Sequence, residues 1–310
     1  MSAPIPLRDV GLIIFVFMVW GTAFPTSKLM FTELSPLLSL FLRTALTIIM
    51  FGLFVRSVPS KSFLKYMVPF MVTQYALHQS LNWVALQYVD VSNIALIQQS
   101  GTLFSVLIGV IILKENISVQ TVIGMLISLI GLFIIFGTPT LHGQGFYVSL
   151  VIIASFFGAL STLFLKKMGK VDIPSLFFYP YLGALPIYAT LSFIFEDNQV
   201  EQLMQADWRK LSVILFYHLT VLNFAFIIWQ RVLARNDMNK VTPYLVLYPV
   251  FAVIFGVILL NEPITLNLII GGALTLLGGV FLTWRFTKRG GKIEVTDPDD
   301  TAEIYVDKTP

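Results

Sequence analysis

Apolar residues fall along the chain in ten long runs separated by short polar segments. The runs are Val10–Ser27, Pro36–Val55, Tyr66–Leu86, Asn93–Leu113, Val119–Gly137, Gly145–Leu165, Ser175–Phe195, Leu211–Val232, Val241–Leu260 and Thr265–Trp284. Each spans roughly 18–22 residues, about what a helix rising 1.5 Å per residue needs to cross hydrocarbon. No ten-residue alternation points to a barrel, and lipid admits only backbone whose hydrogen bonds are closed internally. The pattern predicts an all-α integral membrane protein with ten transmembrane helices.

Charge then orients the chain. With the N-terminus placed in the cytoplasm, that side holds Arg8, Arg56, Lys61, Lys65, Lys114, Lys166, Lys167, Lys170, Arg231, Arg235, Lys240, Arg285, Lys288, Arg289 and Lys292. The other side holds Lys28, Arg209 and Lys210, with Arg43 inside a run and Lys308 in the distal tail. Fifteen against three predicts that both termini are cytoplasmic. A chain 56% hydrophobic and 12% charged has the composition of a membrane protein. Its basic balance reflects inward anchoring charges, because no basic stripe with interleaved aromatics marks a nucleic-acid surface. The absence of cysteine excludes disulfides and thiol chemistry. The first run is longer than a signal-peptide core and a second follows closely, so no cleavable leader is expected.

The chain also repeats itself. Ile111-Ile112-Leu113-Lys114-Glu115-Asn116-Ile117-Ser118 aligns with Ile258-Leu259-Leu260-Asn261-Glu262-Pro263-Ile264-Thr265 at an offset of 147. The same offset places Asp90 on Asp237, Phe104 on Phe251, Gly109 on Gly256, Gly124 on Gly271 and Gly131 on Gly278. Two five-helix halves follow, residues 1–137 and 138–287, with an acidic tail over 288–310 expected to be disordered. Five is odd, so the second half must be inverted relative to the first, as in many secondary transporters. The paired glycines predict close helix contact, within the fold or across a dimer.

Polar side chains inside hydrocarbon mark candidate cavity walls. The third run carries Gln74, His78 and Asn82 at i, i+4 and i+8, flanked by Tyr75 and Gln79. The fourth adds Gln98 and Gln99, amides able to donate and accept and so suited to a zwitterion. In the second half, Asn223 and Gln230 lie on the eighth run and Tyr248 on the ninth. Trp20 stands near mid-depth, where its N–H needs a partner. Arg43 lies about seven residues from the outer end of its helix, placed either to hold a carboxylate or to tie down helix ends. No Asp or Glu falls clearly within a run, which leaves His78 and His218 as the titratable groups there, His78 in the richer polar stripe being the better candidate for proton coupling. Interhelical hydrogen bonding is the structural alternative for each of these residues.

Several of these segments resemble one family. The turns Leu113-Lys114-Glu115-Asn116-Ile117 and Leu260-Asn261-Glu262-Pro263-Ile264 resemble the acidic turn closing the fourth and ninth helices of the drug/metabolite transporter superfamily. Val19-Trp20-Gly21-Thr22-Ala23-Phe24, Arg43, Trp229-Gln230-Arg231 and Val241-Thr242-Pro243 resemble its EamA-type ten-helix branch. The resemblance implies a bacterial inner-membrane exporter of amino acids or related metabolites, and Gln99 matches a glutamine of amino-acid-exporting relatives. The superfamily also contains sugar-phosphate and nucleotide-sugar carriers. A small-molecule substrate and the lipid bilayer are the expected partners, nucleic acid is not, and a monomer or homodimer is open. No cofactor is expected. An intramembrane enzyme lacks its signatures here, since there is no His/Asp metal cluster, nucleophile elbow or mid-depth carboxylate pair. A channel or sensor is the remaining non-carrier reading.

Overall fold

The computed structural model describes residues 5–55, 61–113, 119–168, 172–236 and 241–288. The predicted disordered tail and the Lys114–Ser118 segment of the first acidic turn lie outside them. Helix dominates, and no strand occurs among the described residues. Among the described residues, six stretches are long and apolar enough to cross a membrane: Leu7–Met30, Val91–Ile112, Val119–Phe136, Gly145–Leu165, Ile173–Phe195 and Trp208–Leu233. Shorter apolar helices cover Pro36–Gly52, Tyr244–Leu260 and Leu266–Phe281.

In chain order, α1 comprises Leu7–Gly21 and Ala23–Met30, and α2 is Pro36–Gly52. Helix α3 joins Lys61–Phe70, a π-helical segment Met71–Gln79 and Ser80–Tyr88. Helix α4 is broken at Gln98 and Gln99, between Val91–Ile97 and Ser100–Leu113. Then come α5 (Val119–Phe136), α6 (Gly145–Lys167) and α7 (Ile173–Phe195). Helix α8 joins Trp208–Tyr217, a second π segment His218–Leu222 and Asn223–Arg235. Helix α9 is Thr242–Val246, a 3₁₀ turn, followed by Leu247–Leu260, and α10 is Leu266–Lys288. Widened π segments in α3 and α8 are of the kind often found at functional sites.

The outside of the bundle is apolar. Ile49, Ile111, Phe133, Phe193 and Ile258 are all exposed, which is costly in water and natural in lipid. Inside, α5 and α10 make the closest crossing. A Cβ at Gly131 would strike Thr275 and the Gly271 carbonyl, and one at Gly278 would strike Ser128 and the Gly124 carbonyl. The glycine pairs therefore pack within the fold. Ser128 Oγ donates to the Thr275 carbonyl at 3.3 Å across this crossing.

Opposite ends of the bundle are closed differently. The end where α1 begins, called here the near face, brings Asn236 Nδ2 to Asp9 at 2.7 Å. At the far face, polar groups join residues 32–38 and 91–92 to residues 196–210 and Glu262. The Glu262 carboxylate, 7% exposed, accepts from the Val91 and Ser92 backbone N–H groups at 2.6 and 2.9 Å and from Ser92 Oγ at 2.7 Å. Glu196 does the same for α2, accepting from the Leu37 and Leu38 N–H groups at 2.7 and 3.0 Å. Each carboxylate caps a helix N-terminus that otherwise leaves its first N–H groups unpaired. Gln202 Oε1 accepts from the Ser35 N–H at 2.7 Å, and Lys210 pairs with Glu33 at 3.0 Å. The Asp207 N–H first, then Lys210, holds the Glu33 carboxyl below the usual carboxylate range. The segment from Glu196 to Lys210 thus contains a helix, Gln199–Gln205, and binds the first half of the chain.

Candidate functional site

Below the Glu262 clamp lies a cavity of about 400 Å³. Its walls are His78 on α3; Gln98, Gln99, Gly101, Thr102 and Ser105 on α4; Ser155, Gly158, Ala159 and Thr162 on α6; Leu245 and Val246 on α9; and Leu276, Gly279 and Val280 on α10. The lining descends α4 from its break toward Leu113 and reaches the start of α9, so the cavity runs from mid-bundle toward the near face. The break itself sets the polar end: Gly101 and Thr102 N–H bond back to the Gln98 and Gln99 carbonyls, a tight turn in place of regular helix.

His78 Nδ1 donates to the Ala154 carbonyl at 2.8 Å, which fixes the tautomer and leaves Nε2 as the acceptor. Gly158 makes room for the ring, because a Cβ there would collide with it. Asn82, buried, donates to the His78 carbonyl at 2.9 Å, and its Oδ1 accepts from Gln98 Nε2 at 2.8 Å. His78, Asn82 and Gln98 thus form one network linking α3 to α4 and α6. Gln99 lines the cavity without a side-chain hydrogen bond among the described residues. Two sp² amides, an imidazole and several hydroxyls offer donors and acceptors, and no carboxylate, lysine or arginine lines the cavity among the described residues.

The other sequence candidates lie elsewhere. Gln74 accepts from Ser161 Oγ at 2.7 Å, again against α6. Tyr75 and Gln79 turn to α7, where Tyr75 packs on Tyr181 with centroids 4.3 Å apart and Gln79 accepts from the Tyr188 hydroxyl at 2.9 Å. The five-residue stripe of α3 therefore divides between two surfaces, because π winding spreads residues that regular 3.6 periodicity would stack. Arg43 stands over Trp83, 5.0 Å from the ring centre, with Nη2 3.5 Å from the Tyr181 hydroxyl.

Trp20 donates to the Leu222 carbonyl at 3.4 Å within an aromatic cluster of Phe17, Phe226 and Trp229. Asn223 donates to the Leu219 carbonyl at 2.8 Å, and Gln230 is buried with its Oε1 unpaired. Tyr248 packs near Phe24, with centroids 6.4 Å apart. None of these four lines the cavity.

Sequence reasoning overlooked the α6 wall, whose small Ser155, Gly158 and Thr162 form no polar stripe. It also overlooked the carboxylate caps. Glu262 sat in the repeated turn, so the repeat was the signal that pointed to it. The Thr26–His218 pair, with Oγ1 and Nε2 2.9 Å apart, and the Thr22–Tyr217 pair at 2.6 Å tie α1 to α8 through side chains.

The sequence profile of the EamA-like transporter family matches residues 8–137 and 145–284. An uncharacterized transporter of Bacillus subtilis, YoaV, is 27% identical over 288 residues, covering 89% of this chain and 97% of its own. A probable amino-acid metabolite efflux pump of Salmonella typhimurium is 24% identical, covering 89% and 94%. A protein of the same description from Escherichia coli is 24% identical over 90% and 97%. A solved crystal structure superposes with a TM-score of 0.59 over 89% of this chain and 98% of that one, at 15% identity, a likeness of fold alone.

Proposed function

The chain belongs to the EamA-like transporter family, and we propose that it is a secondary exporter of amino acids or related small polar metabolites, working by alternating access in a bacterial inner membrane. It is a multi-pass membrane transporter rather than an enzyme, and its substrate is a small molecule. Relatives described as probable amino-acid metabolite efflux pumps favour the amino-acid class.

The observation that carries the mechanism is the asymmetry between the two faces. One face is laced shut between the halves by Glu196, Glu262 and Lys210, while a cavity extends from mid-bundle toward the other. A carrier needs such a one-sided path and a second state in which the sides exchange roles. Ten spans in two inverted halves supply that second state. Three features support the repeat. The two π segments begin at Met71 and His218, 147 residues apart. The profile matches in two segments that coincide with the halves. Ser128 bonds to Thr275, its own mate at that offset, as residues straddling a two-fold axis would.

The cavity's neutral amides, imidazole and hydroxyls suit a zwitterion, with Gln99 and the His78 Nε2 as the free groups. His78→Ala and Gln99→Ala are each expected to cut transport about tenfold or more, the worth of one hydrogen bond to a charged substrate group, while leaving membrane insertion intact. Wild-type rates in both variants would remove this cavity from the transport path. The lysine and arginine bias supports a cytoplasmic near face. A cytoplasmic reporter fused after Lys292 should therefore be active, and activity confined to the outside would invert the orientation.

A further inference from the structure

Arg43 is a cation on a membrane-spanning helix, and among the described residues no carboxylate pairs with it. The Lys210–Glu33 ion pair at the far face does not involve it. The guanidinium has five N–H donors, yet its one hydrogen bond runs to the Tyr181 hydroxyl at 3.5 Å, the weak limit of such contacts. The guanidinium carbon lies over the Trp83 ring, 5.0 Å from its centre. Tyr181 in turn packs on Tyr75, with ring centres 4.3 Å apart. An uncompensated guanidinium at this depth is expensive unless something else supplies the anion.

We propose that Arg43 is the receptor for a carboxylate of the transported substrate, and that it sets the specificity of the carrier for free acids. The inference rests on the transport reading above. Two features favour a single planar carboxylate. The guanidinium carries the donor fork that takes two carboxylate oxygens at once. Among the described residues no second cation contacts Trp83 or Tyr181 beside it, which matches one negative charge rather than a phosphate dianion.

Arg43 lies six residues inside Leu37, about 9 Å along α2 from the N–H groups that Glu196 caps. It occupies the far-face side of the bundle, whereas the open cavity lies toward the near face. A substrate leaving the His78–Gln98 network would meet Arg43 on its way outward. Glu196 release would then move the helix that carries this receptor, coupling outward opening to carboxylate passage.

The test is competition in counterflow with the full-length protein in proteoliposomes. The labelled probe is whichever of the twenty L-amino acids the wild type exchanges, and the competitors are that amino acid and its α-amide. The acid should compete at least ~100-fold better than the amide, the worth of a charge-assisted forked pair. Arg43→Gln should bring the two within ~3-fold of each other, with Arg43→Lys in between. The acid–amide comparison in the wild type needs no variant to fold. A wild type that accepts acid and amide alike, or an Arg43→Gln protein that still discriminates, overturns the inference and leaves the carrier reading standing. A folded wild type that exchanges none of the panel overturns both.

Discussion

Replacing Glu262 with alanine is expected to unlatch the far face and to lower transport at least tenfold. The carboxylate is buried and satisfies two backbone N–H groups and one hydroxyl on α4. Removing it leaves those donors without a partner, at a cost of about 2–5 kcal/mol to the clamped state. That cost falls on one conformation only, so the equilibrium shifts toward opening of the far face. The chain has no cysteine, which makes a single introduced thiol an unambiguous reporter. Ala95 is fully buried one turn inside the clamp on α4. In an Ala95→Cys background, labelling by an impermeant maleimide from outside should rise about tenfold or more when Glu262 becomes alanine. Glu262→Gln keeps an acceptor oxygen and should fall between. Unchanged labelling together with unchanged transport would show that the cap is no latch.

The second large effect is expected at the crossing of α5 and α10. Gly278→Leu should destabilise the protein by about 3 kcal/mol or more, because its side chain would enter space held by Ser128 and by backbone at Gly124. Backbone cannot step aside as a flexible side-chain end can. In lipid, close approach of backbones at small residues is itself a main source of helix association. Gly11→Ala is the matched control, since nothing lies within 4 Å of its would-be Cβ. It should be neutral, or stabilising by about 0.5–1 kcal/mol through helix propensity. Equal thermal midpoints for Gly278→Leu and the wild type would contradict the packing described here.

The helices were legible because hydrocarbon length and continuous apolar runs leave little choice of structure. The glycine pairs could be read as contact sites from their common offset, although only coordinates place that contact inside one chain. The polar stripe of α3 was harder. Periodicity put Gln74, Tyr75, His78, Gln79 and Asn82 on one side, while the π segment sends them to α4, α6 and α7. A change of winding leaves no mark in the order of residues. The Glu262 and Glu196 caps were hidden for another reason. Their partners are backbone N–H groups, which every residue but proline carries, so no residue type announces them. Ser155 and Thr162 escaped notice because a single hydroxyl on an apolar helix usually bonds its own backbone, as Ser155 does at 2.8 Å to the Val151 carbonyl.

Counterflow in proteoliposomes tests the central claim most directly. Vesicles holding the purified protein are preloaded with one unlabelled amino acid at a time, and entry of the same labelled compound is followed. A carrier with one cavity and alternately closed faces predicts saturable uptake that rises with internal substrate. Flux that stays linear with concentration and ignores the internal load would mean that both faces open together, and would contradict the account.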